Sequence, residues 1–203
     1  MEKLSDSAYQ WMYYRADGPL LSIETYKDEN SKTLNGYIAF FDTEGRIDSG
    51  GFTNEGKKDK HWYYFDDNLK VSQSEEYSSG KLIKRKDQAM LKAESDSLKA
   101  LKGGPLDREA EFTGGTKKWI NYLQKNLSFP KRAMQLRKTG NVVVSFVVNT
   151  DGKLSEISLR KSVELTLDLE AMRLIKNSPD WEPAMQTGKP VKAYRLQPIT
   201  FAM

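Results

Sequence analysis

Between Gly140 and Arg160 the chain reads GNVVVSFVVNTDGKLSEISLR, and no other stretch restricts the fold as tightly. Val142, Val144, Phe146 and Val148 share one parity, so an extended backbone lines all four along a single face. On the other parity Val143 and Val147 alternate with Ser145 and Asn149, which describes a half-covered face. Asn149-Thr150-Asp151-Gly152 then stops the run with residues that favour turns and tolerate positive φ. Leu154, Ile157 and Leu159 supply a second apolar strand, so the pair reads as a hairpin. Leu154 is out of parity with the other two, which predicts a bulge after the turn.

Such a hairpin needs cover, and the flanking sequence offers it. Thr116 is placed to cap a helix whose apolar stripe is Trp119, Ile120, Leu123 and Leu127. Phe129-Pro130 ends that helix, because proline disfavours helical geometry in the residue before it. Pro130 then starts a short helix through Arg137. After the hairpin, Leu167, Ala171, Leu174 and Ile175 form another helical stripe, closed by Pro179 and a Trp181-Glu182-Pro183 turn. Gly188-Lys189-Pro190 turns into a last strand, Val191 to Phe201. The order of elements predicts an α+β domain over residues 111–203: a three-stranded antiparallel sheet with helices on one face. Pro198 cannot donate to a ladder, which makes the last strand an edge.

The first half is organised differently. Tyr14, Phe41 and Phe65 recur about every 25 residues, as do Tyr26, Phe52 and Tyr77, a spacing typical of stacked repeats. Aromatic runs punctuated by Gly, Asn and Asp favour one hairpin per repeat, so residues 1–86 read as an all-β hairpin-repeat region. Residues 11–85 resemble degenerate MORN-type repeats, with Gly36 before one aromatic strand and Lys60 in its place in the next copy. Leu69 stands where the turn glycine is expected. Similar repeats serve as lipid-binding or protein-binding surfaces, and Lys84-Arg85-Lys86 offers charge for an anionic membrane surface. Residues 87–110 read as a partly helical linker, from about Asp87 to Leu101 and broken at Gly103-Gly104-Pro105.

Chemistry is sparse. There is no cysteine and one histidine, so disulfides, thiolate catalysis and clustered zinc ligands are excluded. His61 sits at a strand start and reads as structural or exposed. Gly114-Gly115-Thr116-Lys117-Lys118 lacks the spacing of a phosphate loop and reads as a helix start. Asp66-Asp67 belong to a turn. With 32 basic against 28 acidic residues the charge excess is only +4, which does not describe a nucleic-acid footprint. No apolar run reaches the ~18 residues of a membrane span. The expectation is a non-enzyme without cofactor or metal.

The second half also carries an ordered set of pieces: Glu111-Phe112-Thr113-Gly114-Gly115, Leu127-Ser128-Phe129-Pro130, the Gly140–Val148 strand with Asp151-Gly152, and Leu167-Asp168 with Glu170-Ala171. Trp181 with Pro183, Gly188-Lys189-Pro190-Val191 and Pro198-Ile199 with Phe201 complete it. Together they resemble the C-terminal domain of TonB-family proteins across residues 111–201. That resemblance implies a periplasmic or cell-envelope module, its export or anchoring segment lying outside this sequence. It also implies recognition of an extended segment of an outer-membrane receptor or envelope protein, with a link to TonB-dependent transport. The physical route is strand addition onto an open edge. The rim expected to accept the partner is Val191, Lys192, Ala193, Tyr194, Arg195, Leu196 and Gln197, upstream of the proline. Lys192 and Arg195 are expected to guard this edge against aggregation. The same edge offers a route to a homodimer. A proline-rich spacer is absent, the seven prolines being scattered, so a binding module that transmits no force is expected.

Overall fold

The computed structural model describes residues 2–5, 8–30, 32–101 and 104–203 of an α+β protein. The chain divides inside one helix into two compact units, Met1–Asp96 and Ser97–Met203.

In the first unit eight strands follow one another: β1 (Glu2–Ser5), β2 (Ala8–Tyr14), β3 (Leu20–Tyr26), β4 (Leu34–Phe41), β5 (Ile47–Asn54), β6 (Lys57–Phe65), β7 (Val71–Ser78) and β8 (Lys81–Lys86). All pairings are antiparallel and sheet order equals chain order, so each strand pairs only with its sequence neighbours. The hairpins expected one per repeat thus fuse into one meander, because a lone hairpin would leave two unpaired rims.

The repeat is visible in the irregularities. Register shifts fall at Tyr13/Tyr14, Phe40/Phe41 and Tyr64/Phe65, the same step of each copy. In the turns that follow, Asp42 Oδ1 accepts the N–H groups of Glu44 and Arg46, and Asp66 Oδ1 those of Asn68 and Lys70, all at 2.9 Å. Leu69 adopts φ 61 where Gly45 adopts φ 76, so the missing glycine leaves a leucine in left-handed backbone. One cross-strand row runs through seven strands: Trp11, Glu24, Ile38, Gly51, Trp62, Glu75 and Arg85.

That row explains two buried features. A Cβ on Gly51 would lie 2.6 Å from the Trp62 ring, so only glycine lets the indole lie flat on the strand. Glu75 is buried at 3% exposure and accepts hydrogen bonds from Tyr77 Oη (2.7 Å), Tyr64 Oη (2.8 Å) and Arg85 Nε (2.8 Å). Glu24 takes the equivalent place two residues before Tyr26, whose hydroxyl it accepts. In the middle copy the positions are Gly50 and Phe52, which lack both carboxylate and hydroxyl.

Helix α1 (Gln88–Leu101) follows, entered through Asp87, whose Oδ1 accepts the Met90 N–H at 2.9 Å. The second unit contains β9 (Glu111–Phe112), α2 (Gly115–Asn126), α3 (Lys131–Gln135), β10 (Gly140–Val148), β11 (Leu154–Lys161), α4 (Leu165–Lys176), β12 (Trp181–Glu182), β13 (Ala184–Gln186), β14 (Lys189–Val191) and β15 (Ala193–Phe201). A three-stranded antiparallel sheet has the order β11-β10-β15, and two ribbons, β12-β9 and β13-β14, stand beside it.

Val142, Val144, Phe146 and Val148 are all fully buried, as are Leu167, Ala171, Leu174 and Ile175 of α4 and Ile199 of β15. An aromatic cluster closes one end: Phe112, Trp119 and Trp181 lie within 5.3–5.7 Å of one another, and Phe146 meets Trp181 at 4.8 Å.

Four local expectations differ from the structure. Thr116 lies inside the first turn of α2, because Gly114, the actual cap, and Gly115, at φ 84 and 74, bend the chain into the helix two residues sooner. Ile120 is 47% exposed; the buried stripe is carried by Trp119, with Tyr122 half-buried beside it. Trp181-Glu182 is a strand paired with β9 and not a turn. The predicted last strand is broken at Lys192, since Val191 pairs with Ala184 in the β13-β14 ribbon around Thr187-Gly188 (φ 51 and 73).

Candidate functional site: the free rim of the last strand

β10 is the central strand, and its parity decides which side chains flank the rim. β15 pairs with it through nine consecutive partners, from Gly140↔Phe201 to Val148↔Ala193, with no register shift. The β10-β11 pairing is interrupted twice, and Glu156 sits at φ 53 in the bulge expected after the turn. β15 is therefore the regular edge of the sheet. Among the described residues no strand occupies its other side.

The seven residues expected at this rim are distributed over three environments. Val191 belongs to β14 and Lys192 connects the two strands, exposed. Ala193, Tyr194, Arg195, Leu196 and Gln197 lie in β15 opposite Val148, Val147, Phe146, Ser145 and Val144. In an antiparallel edge strand alternate residues direct N–H and C=O outward, so these five leave two or three residues able to pair. Pro198, opposite Val143, marks where the donor row ends.

Alternation gives the rim two different flanks. Ala193, Arg195 and Gln197 share the helix side with Phe146 and Val144, and Tyr194 and Leu196 share the other with Val147 and Ser145. The Arg195 Nε is buried without a hydrogen-bond partner among the described residues. On the opposite flank Tyr194 is 52% exposed, with the Arg160 guanidinium 5.7 Å from its ring centre. Arg160 is itself held by a 3.1 Å hydrogen bond from its Nε to Ser145 Oγ.

The supporting face is fixed by carboxylates buried at the start of α4. Glu164 accepts the Thr166 N–H at 2.8 Å, capping the helix, and is ion-paired with Arg132 of α3. Asp168 accepts from Ser162 Oγ and the Val163 N–H. Burial acts to raise the Glu170 carboxyl, but hydrogen bonds from Arg173 and the Ser128 N–H outweigh it and hold it below the ordinary range. These groups are engaged in holding helices. Among the described residues no group of acids and histidine is arranged to hold a metal, and no helix is long and apolar enough to cross a membrane.

In the first unit, the cations singled out for a membrane surface are partly committed elsewhere. Arg85 is bound to Glu75 and Lys86 to Glu94. His61 is exposed and stacked on Tyr63 at 6.2 Å.

Comparison with known proteins gives three results. The family model for the Gram-negative bacterial TonB protein C-terminal matches residues 125–203. No curated protein matches the chain. Among solved structures, the NMR solution structure of the Helicobacter pylori TonB C-terminal domain is similar at 25% identity, covering 43% of this chain and 78% of that one, with a TM-score of 0.33.

Proposed function

We propose that residues 111–203 form a non-catalytic protein-binding module of the cell envelope or periplasm. It takes up an extended segment of an outer-membrane or other envelope protein by strand addition onto β15. The reading rests on one observation, the regular rim at Ala193–Gln197, on whose outer side no strand pairs among the described residues. The TonB C-terminal match over residues 125–203 supports the class of partner.

Mechanistically, the incoming backbone exchanges water for the outward N–H and C=O groups of β15. Four or five such bonds at about 1 kcal/mol net each correspond to a Kd of roughly 0.1–1 mM. Side chains of alternating residues meet Tyr194 and Leu196 on one flank and Arg195 on the other, which adds selectivity. Residues 1–86 are read as MORN-like repeats joined through a linker at residues 87–110, and a second copy of the chain would compete for the same rim.

The test is an amide-shift titration with peptides from the N-terminal segments of outer-membrane receptors. Shifts should concentrate on Ala193–Gln197. N-methylation of one parity of the peptide backbone should abolish binding, and methylation of the other parity should leave it intact. Absence of perturbation along Ala193–Gln197, or equal binding of both methylated peptides, overturns the mechanism.

A further inference from the structure

A second surface in this unit has the chemistry of a recognition groove and lies outside the β15 rim. It runs along α2 beside the loop after α4, has a volume of about 320 Å³, and has Phe112, Tyr122 and Pro179 for its apolar floor. Lys118, Asn121 and Lys125 form its wall. The floor is held in place: Tyr122 Oη donates to the Leu174 carbonyl at 2.8 Å, and the Phe112 and Tyr122 rings are 5.5 Å apart. A preformed floor spares a ligand the cost of ordering it.

The charge is one-sided. Helix α2 carries Lys117, Lys118 and Lys125 and no acidic residue. Among the described residues neither Lys118 nor Lys125 has an ion-pair partner; Glu170 is paired with Arg173 and Glu182 with Arg108, while the exposed Asp180 beside Pro179 pairs with neither lysine. Glu111 adjoins Phe112 in β9, and its carboxylate lies at the start of α2 beside Gly115, with no ion pair to either lysine among the described residues. An apolar floor flanked by unneutralised cations is complementary to an apolar side chain flanked by carboxylates.

We propose that this groove docks an extended acidic segment of a partner protein with the pattern acidic-x-apolar-x-acidic. The spacing follows from geometry. Lys118 and Lys125 are seven residues apart on a helix, about 10 Å along its axis. Residues i and i+4 of an extended chain share one face and are about 13 Å apart, a difference the lysine stems absorb. Residue i+2 then falls on the same face between them, over Phe112, Tyr122 and Pro179.

A titration of the whole chain with acetyl-Thr-Glu-Thr-Leu-Thr-Glu-Thr-amide tests this, with the amide spectrum as readout. Shifts are expected on Phe112, Lys118, Asn121, Tyr122 and Lys125. The Glu-to-Gln peptide and the Lys118→Ala/Lys125→Ala protein should each bind on the order of tenfold more weakly, since two exposed charge pairs are lost. Both lysines are exposed, so the variant keeps its fold. Equal binding of the Glu and Gln peptides overturns the proposal. So does a shift map confined to Ala193–Gln197, which would instead place the peptide on the β15 rim. Anionic phospholipid vesicles that shift the α2 amides as strongly as the peptide would likewise overturn it, by showing a response to charge alone.

Discussion

Replacing Gly152 by alanine separates two reasons for a glycine in the β10-β11 turn. Gly152 adopts φ 82, and its carbonyl accepts the Trp181 N–H at 2.9 Å. A Cβ there would lie 2.3 Å from the Trp181 carbonyl oxygen, a backbone atom of β12. Gly188 is the internal control: it adopts φ 73, but a Cβ there meets nothing within 4 Å. At Gly188 the left-handed conformation costs alanine about 1–2 kcal/mol, and the loss of freedom in the unfolded chain returns about 0.4–1, for a net loss near 0.5–1 kcal/mol. At Gly152 the same balance applies, with about 1–3 kcal/mol more for overpacking and about 1 for the strained Trp181 hydrogen bond. The total is about 2.5–5 kcal/mol. Because Trp181 packs against Phe146 at 4.8 Å, the displacement reaches the core of the sheet. Urea unfolding followed on the amide resonances of β10 measures both variants. Losses within about 0.5 kcal/mol of each other would refute the claim that close backbone approach, and not φ alone, requires glycine at 152.

Leu69→Gly should stabilise the first unit by about 0.5–1 kcal/mol, read from the urea midpoint, since it relieves left-handed backbone at φ 61. Glu75 gives a pH signature. Burial acts to raise its pKa, but hydrogen bonds from Tyr77, Tyr64 and Arg85 prevail, so the folded value lies below the ordinary 4.5. Its contribution is therefore fully present above about pH 4.5 and lost as the pH falls through the folded value; the stability gap between wild type and Glu75→Gln, measured from pH 7 down to 3, should narrow only in that acid range. Tyr64, pushed up to about 12 by burial and its bond to Glu75, should stay protonated past pH 10 in a spectrophotometric titration, and Glu75→Gln should bring its midpoint down. Glu164→Ala removes both the α4 cap and the Arg132 partner, and should cost about 2–4 kcal/mol with faster hydrogen exchange in the first turn of α4.

What could be read from residues alone follows from periodicity. The Val142–Val148 parity, the Asp151-Gly152 turn and the Leu167–Ile175 stripe are local patterns, and each appears where its period places it. The edge position of the last strand was legible through Pro198, because a missing N–H is a property of one residue. Long-range pairing was not. Nothing near Val191 announces that it pairs with Ala184, and nothing near Trp181 announces Phe112 as its partner. Glu24 and Glu75 look like solvent-facing charges until the sheet row brings tyrosines and an arginine over them. The α2 groove was also out of reach, since its floor joins β9, α2 and the loop after α4.

In the first unit every pairing joins strands adjacent in sequence. Such a sheet has short closure loops throughout, so it should assemble quickly and come apart progressively, shedding outer strands before inner ones. Protease nicks near Ser79-Gly80 should therefore release β8 while β3–β6 persist as a protected remnant, and the half-life of that remnant would measure how many adjacent repeats suffice for independent existence.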